Sequence, residues 1–198
     1  MTGLAACAAL AVLELDAVLV AQTLVSRPFV VGAVIGALGG RAHTGALYGA
    51  AFELLALVDV PVGGSLTWSA SVASGTAAAL MLGGTSAAMC FAGGLGAGLL
   101  HARLEAVERA RRTAGADALA AAAESGGPAL GRAFAVSIAL HAAGTFALSL
   151  AVVALVGWAD RFWWPYAPEV LRAAASAAAS CAPWIGLSGV AAWGLSRA

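Results

Sequence analysis

The sequence predicts an all-α, polytopic integral membrane protein with broken or re-entrant helices. Three observations carry that prediction. First, the chain is 62% hydrophobic and 10% charged, with a mean hydropathy of +0.92. Soluble domains hold roughly 25% charged residues, and a soluble core of 198 residues cannot hide this much apolar surface. Second, residues 22–64 are apolar enough for a bilayer, yet they carry Arg27, Arg41, Glu53 and Asp59. A charge at membrane depth costs a few kcal/mol on insertion scales, so such charges face polar cavities and mark pathways. Third, the same stretch is interrupted by Gly32, Gly36, Gly39, Gly40, Gly45, Gly49, Gly63 and Gly64, and by Pro28 and Pro61. Broken backbone at membrane depth is tolerated only where it is buried in protein or lines a cavity. Together these features read as the substrate site of a transporter.

The chain reads as a single membrane domain over residues 1–198, in three parts. Residues 1–100 form a substrate-site half with Gly- and Pro-broken helices. Within it, residues 3–24 can make one apolar helix. Residues 28–40 and 44–58 are each shorter than the roughly 20 residues a crossing needs, and pair as a broken or re-entrant unit. Residues 70–100 make one tilted helix or a tight hairpin about Gly83-Gly84; the sequence fits both. Residues 101–132 form a charged, solvated helix with the favourable i,i+4 pairs Glu105–Arg109 and Glu108–Arg112, closed by a loop at Ser125-Gly126-Gly127-Pro128. Its arginines near membrane ends assign it to the cytoplasm. Residues 133–198 hold two C-terminal membrane helices. Residues 133–157 cross outward to an interfacial cluster of Trp158, Trp163, Trp164 and Tyr166, and residues 170–195 cross back. The short Gly-interrupted segments at 28–58 are the strongest pointer to a binding site.

Several functions are disfavoured. All ten basic residues are Arg and the net charge is zero, so no basic patch suggests nucleic acid. The N-terminus lacks a positive n-region, and Glu14 and Asp16 interrupt its apolar run, so it is read as a membrane segment rather than a signal peptide. Cys7, Cys90 and Cys181 stand alone in apolar runs and read as small buried hydrophobes. His43, His101 and His141 lack metal-ligand spacing, so neither a metal nor a cofactor is expected. Gly186-Leu187-Ser188-Gly189 matches the GxSG motif of rhomboid proteases, but no His follows it, so the match is read as chance. Asp59 is read as a helix cap before Pro61.

The patterns Gly32-xxx-Gly36-xxx-Gly40 and Gly45-xxx-Gly49 signal close helix packing, which is compatible with close backbone approach to a ligand. Asp16, Gln22 and Glu53 are the candidate substrate-binding residues, because they converge on one broken region. Glu53 lies deep in an apolar run. It can accept from a polyhydroxylated ligand or serve as a partner for Arg27 or Arg41. Arg27, Pro28, Gly32, Gly36, Gly45, Gly49, Pro61 and Gly63 are expected to shape the site.

In their order, Asp16, Gln22, Ser26-Arg27-Pro28, Gly32, Gly36, Gly45, Gly49, Glu53-Leu54 and Pro61-Val62-Gly63 resemble the IIC component of the mannose/fructose/sorbose family of sugar phosphotransferase systems. The resemblance covers roughly residues 13–75. It implies a multi-pass permease subunit of a bacterial plasma (inner) membrane, not an enzyme by itself. It also implies pairing with a IID membrane subunit, oligomer formation, and cytoplasmic IIA and IIB subunits that phosphorylate the sugar. Two departures stand out. Arg41 occupies the place of a usual Asp, and Trp68-Ser69 that of a usual Pro-Asp. A degenerate scaffold or sensor subunit without transport is therefore the alternative reading.

Overall fold

A computed structural model describes residues 2–18, 23–57, 67–124 and 128–195. Among the described residues it is all helical: α1 (Thr2–Val18), α2 (Pro28–Ala37), α3 (Ala42–Ala56), α4 (Ala70–Leu82), α5 (Ala87–Ala114), α6 (Ala116–Glu124), α7 (Ala129–Phe162), a 3-10 turn at Trp164–Tyr166, and α8 (Glu169–Leu195).

The broken pair expected at 28–40 and 44–58 is a helical hairpin. Arg27 is extended and Pro28 takes the first helical position, where its ring costs no hydrogen bond. Gly40 reverses the chain at φ +70°, a conformation open to glycine without a Cβ clash. At 1.5 Å per residue, α2 spans about 15 Å and α3 about 22 Å, so neither crosses a bilayer core alone. Glycines let the two helices meet backbone to backbone. A Cβ on Gly32 would overlap the Gly45 carbonyl, and one on Gly45 would overlap that of Gly32. A Cβ on Gly36 would lie 2.6 Å from the Arg41 carbonyl oxygen, and one on Gly49 2.6 Å from Phe29 Cα.

The run at 70–100 is a hairpin. Helix α4 ends at Leu82, Gly84 turns at φ +80°, and α5 begins at Ala87. Every residue of α4 from Ser71 to Met81 is buried. Its small side chains let α1, α2, α3, α5 and α7 pack around it. The core includes an Ala6, Leu10, Val31, Ile35 and Ala78 cluster, a Phe52, Ala73, Ala77 and Phe91 cluster, and a Leu80, Met81 and Cys90 cluster. Phe52 and Phe91 stack at 4.9 Å.

Helices α5, α7 and α8 are each long and apolar enough to cross a membrane. The charged segment does not begin a helix of its own. Its residues are divided among the second half of α5, α6 and the start of α7, and His101, Ala102 and Glu105 on the inner face of α5 are buried, so only the outer face of α5 is solvated there. Most of the loop expected at 125–128 lies outside the described residues. At the α7–α8 corner, Trp163 and Trp164 lie 6.3 Å apart and Tyr166 is exposed. Cys7 and Cys90 are buried as expected, but Cys181 is exposed on α8. That helix passes its Gly186 against the Leu54 carbonyl of α3.

Candidate functional site

Two of the three candidate substrate-binding residues meet on one feature, the chain reversal that leads into α2. Asp16, near the end of α1, accepts from the Thr23 backbone N–H at 2.8 Å and its hydroxyl at 2.9 Å. It also accepts from the Ser26 N–H and hydroxyl, both at 3.2 Å. Glu53 reaches the same region from α3. Its Oε1 pairs with Arg27 Nη1 at 2.8 Å, and its Oε2 accepts from the Phe29 N–H at 3.1 Å. The start of α2 has no cap from its own Arg27 side chain. Glu53 supplies the acceptor and puts a negative charge at the positive end of the helix dipole. From α4, the Ser74 hydroxyl donates to the Pro28 carbonyl at 2.6 Å.

This arrangement can hold a polar turn rigidly among apolar helices and present carboxylates and a guanidinium beside it. Arg27 is more than half exposed and the Glu53 side chain is one-quarter exposed, so both remain reachable. Of the two arginine partners open to Glu53 in the sequence, Arg27 is the one it pairs with. Arg41 lies at the far end of the hairpin, about 18 Å along α3 from Glu53. There Arg41 Nη1 donates to the Met81 carbonyl at 3.4 Å and approaches Met81 Sδ at 3.9 Å. Gln22, Asp59, Pro61 and Gly63 lie outside the described residues. Pro28, Gly32, Gly36, Gly45 and Gly49 all belong to the hairpin and shape its internal contacts.

A second polar centre was not singled out by sequence reasoning. Glu14 is 2% exposed and accepts from the Ser69 hydroxyl at 3.0 Å and the Ser71 hydroxyl at 2.6 Å. Its Oε1 lies 4.0 Å from His101 Nδ1. The signal was present, since an ionisable residue inside an apolar run is a functional candidate by default. In the sequence, Glu14 argues only against a signal peptide, because nothing near it marks the partners it finds in the fold. Ser188, of the GxSG motif, donates at 2.9 Å to the Ile185 carbonyl of its own helix.

A groove of about 660 Å³ lies between α5, α6 and α7, walled largely by Leu119, Leu130, Phe134 and Leu140, with Arg111 and Arg112 among its residues. Its walls offer few hydrogen-bonding groups, so it does not suit a polyhydroxylated ligand.

The chain matches the family described as the PTS system sorbose-specific IIC component over residues 1–190. No curated protein matches it. A solved structure described as "Structure of membrane protein" superposes with a TM-score of 0.73 at 23% identity, over 96% of this chain and 76% of that one. At that identity the likeness shows the fold alone.

Proposed function

Because the chain belongs to the sorbose-specific IIC component family of sugar phosphotransferase systems, we propose that it forms the sugar path together with a IID subunit, in a bacterial inner membrane. It is a membrane permease subunit of such a system; the sugar contacts and the pairing are our reading. The sugar is recognised at the re-entrant turn by Asp16, Gln22 and Glu53, with Arg27 holding Glu53 in place. Cytoplasmic IIA and IIB subunits phosphorylate it.

The observation that supports this most is the meeting of Asp16 from α1 and Glu53 from α3 on the turn between Thr23 and Phe29. A sugar presents many hydroxyls and no charge, so it needs acceptors and donors in fixed positions. The test is uptake in cells that carry the chain with its IIA, IIB and IID partners. Glu53→Gln removes a charge that hydroxyls donate to, and Gln22→Ala removes a donor and an acceptor. A hydrogen bond to a charged group contributes about 1.5–3 kcal/mol, roughly ten- to a hundredfold in affinity. Both variants are expected to abolish uptake while membrane insertion and IID pairing persist. Uptake at normal affinity in both would exclude this site.

One observation favours a second reading, a scaffold or sensor without transport. Asp16 and Glu53 already accept hydrogen bonds from the chain's own groups, and Arg41 donates to Met81 where the resemblance expects a carboxylate. An unmutated chain that takes up no sugar beside its partners would establish that reading.

A further inference from the structure

A line of buried polar side chains runs from α1 through α5 to α7, and the turn-binding site does not use it. Glu14 of α1 receives the Ser69 and Ser71 hydroxyls from the start of α4. Its Oε1 faces His101 Nδ1 of α5 across 4.0 Å. His101 Nε2 meets the Thr145 hydroxyl of α7 at 3.0 Å. The His101 and His141 rings pack edge to face at 5.4 Å. His141 Nδ1 meets Glu108 Oε2 at 2.8 Å, and Glu108 lies 3.9 Å from Arg112. Both imidazoles are fully buried, and His101 Nδ1 and His141 Nε2 have no hydrogen-bond partner. Buried polar atoms are almost always satisfied, so two adjacent rings with bare nitrogens call for an explanation.

From these contacts we infer that Glu14 and His101 form a binding site for one exchangeable proton, reached from the Glu108–Arg112 end of α5 through His141. The gap of 4.0 Å between Glu14 Oε1 and His101 Nδ1 is one that a small approach closes once a proton lies between them. With Glu108 ionised, its carboxylate can only accept, so His141 carries its proton on Nδ1 and offers a bare Nε2 beside His101. The pair holding one proton is neutral overall. Without that proton a carboxylate is stranded in an apolar bundle, held by two serine hydroxyls alone, and burying an unpaired charge is strongly unfavourable. Stability conferred by the pair is therefore present with the proton bound and lost as the pH rises.

Of the surrounding charges, buried Glu105 acts on Glu14, repelling its carboxylate and so favouring the protonated pair. On α5, Glu105 is bonded to Arg109, and Glu108 faces His141 and Arg112. On α1, Asp16 is engaged by Thr23 and Ser26. Helices α2 and α4 carry no ionisable side chain, and α8 brings Glu169 and Arg172, both exposed at its start. On α7, Asp160 is bonded to Ser86 far from His141, and Arg132 and Arg161 are exposed near the two ends of that helix. Because Glu14 and Asp16 share one helix, the proton is also placed to act on the turn that Asp16 holds; that consequence, unlike the proton itself, rests on the sugar-site reading above.

The experiment uses the full chain in lipid nanodiscs and measures thermal unfolding from about pH 6 to about pH 9, either side of neutral imidazole titration. The unmutated chain is expected to lose about 4 °C or more across that range, and Glu14→Gln to flatten the profile. A flat profile in the unmutated chain, or an unchanged slope in Glu14→Gln, overturns the inference. Should Glu14→Gln not fold, nitrogen-15 NMR of the histidine-labelled unmutated chain decides alone. Free histidine in the same buffer then serves as the imidazole reference. Nitrogen shifts of His101 that change with pH, at a midpoint distinct from that of free histidine, support the site. Shifts that stay constant across the range overturn it. No sugar enters either measurement, so failure here is distinct from failure of the transport reading.

Discussion

Glu14 and Asp16 lie two residues apart on α1, yet their oxygens do different work. Asp16 collects two backbone N–H groups and two hydroxyls from the turn beyond it, a local contact. Glu14 faces inward to groups far away in sequence: Ser71 is 57 residues on. That difference sets what a sequence can reveal. Asp16 and Glu53 were legible because each lies near a Pro- and Gly-broken stretch that announces itself. Glu14, His101 and His141 were not, since each looks like an isolated polar residue until the fold brings three helices together. Ser69 shows the same limit. It stands where the resemblance expects a carboxylate, and its meaning emerges only beside Glu14, which a second carboxylate would repel. Ser74 is a further residue that only the fold reveals, buried on α4 and donating to the Pro28 carbonyl. Ser74→Ala removes this side-chain donor and leaves the carbonyl with the ladder bond of its own helix. It is expected to cost about 1 kcal/mol, a fall of roughly 2–4 °C in unfolding temperature for a chain of this length, and to lower uptake by loosening the turn. Calorimetry and uptake measured on the same variant check both effects.

At the scale of elements, the α2–α3 hairpin was legible and the α4–α5 hairpin was not. Pro28 and the spaced glycines fix short helices locally. By contrast, Gly83-Gly84 in a long apolar run fits a tilted helix as well as a turn. What settles it is a contact 74 residues away, where Ser86 N–H and Oγ bond to Asp160 at 3.1 and 2.5 Å. The glycine spacing signalled close helix packing, and the fold shows which helices meet. Gly32, Gly36, Gly45 and Gly49 all point into the hairpin itself, so a side chain there strains this chain before it reaches any partner. Gly49→Ala drives a Cβ against Pro28 and Phe29 backbone, which cannot rotate away as a side chain would. Overpacking of this kind costs typically 1–3 kcal/mol. A Cβ added to Gly96 on α5 would meet nothing within 4 Å, and alanine is the better helix former by up to about 1 kcal/mol. Thermal unfolding should therefore fall clearly for Gly49→Ala and hold or rise for Gly96→Ala. Equal gains in both would mean that helix propensity, not backbone approach, sets these positions.

At the scale of the whole molecule, the long helices give the chain two distinct ends. Arg103, Arg109, Arg111 and Arg112 gather toward the end of α5, and Arg132 lies near the start of α7. The opposite end carries the Trp158, Trp163, Trp164 and Tyr166 cluster with Arg161 and Arg172. Arg41 also lies toward that end, but it is directed at the Met81 carbonyl inside the bundle. Arginine excess near span ends marks the cytoplasmic face, and aromatic residues gather at the interfaces. We therefore propose that the Arg-rich end faces the cytoplasm, which would also put the Glu108 end of the buried polar line on that side. Single cysteines test this orientation. Ala106 is exposed on the charged half of α5, and Tyr166 is 85% exposed at the aromatic corner. Ala167, its neighbour, is 5% exposed and would react slowly from either side. In a background with Cys7, Cys90 and Cys181 replaced, Tyr166→Cys should label with an impermeant thiol reagent in intact cells, while Ala106→Cys should label only after the membrane is opened. The reverse pattern would invert the molecule and exchange the faces of the proton entry and the aromatic corner together. The two are tied to the same helices, so neither can be reassigned alone.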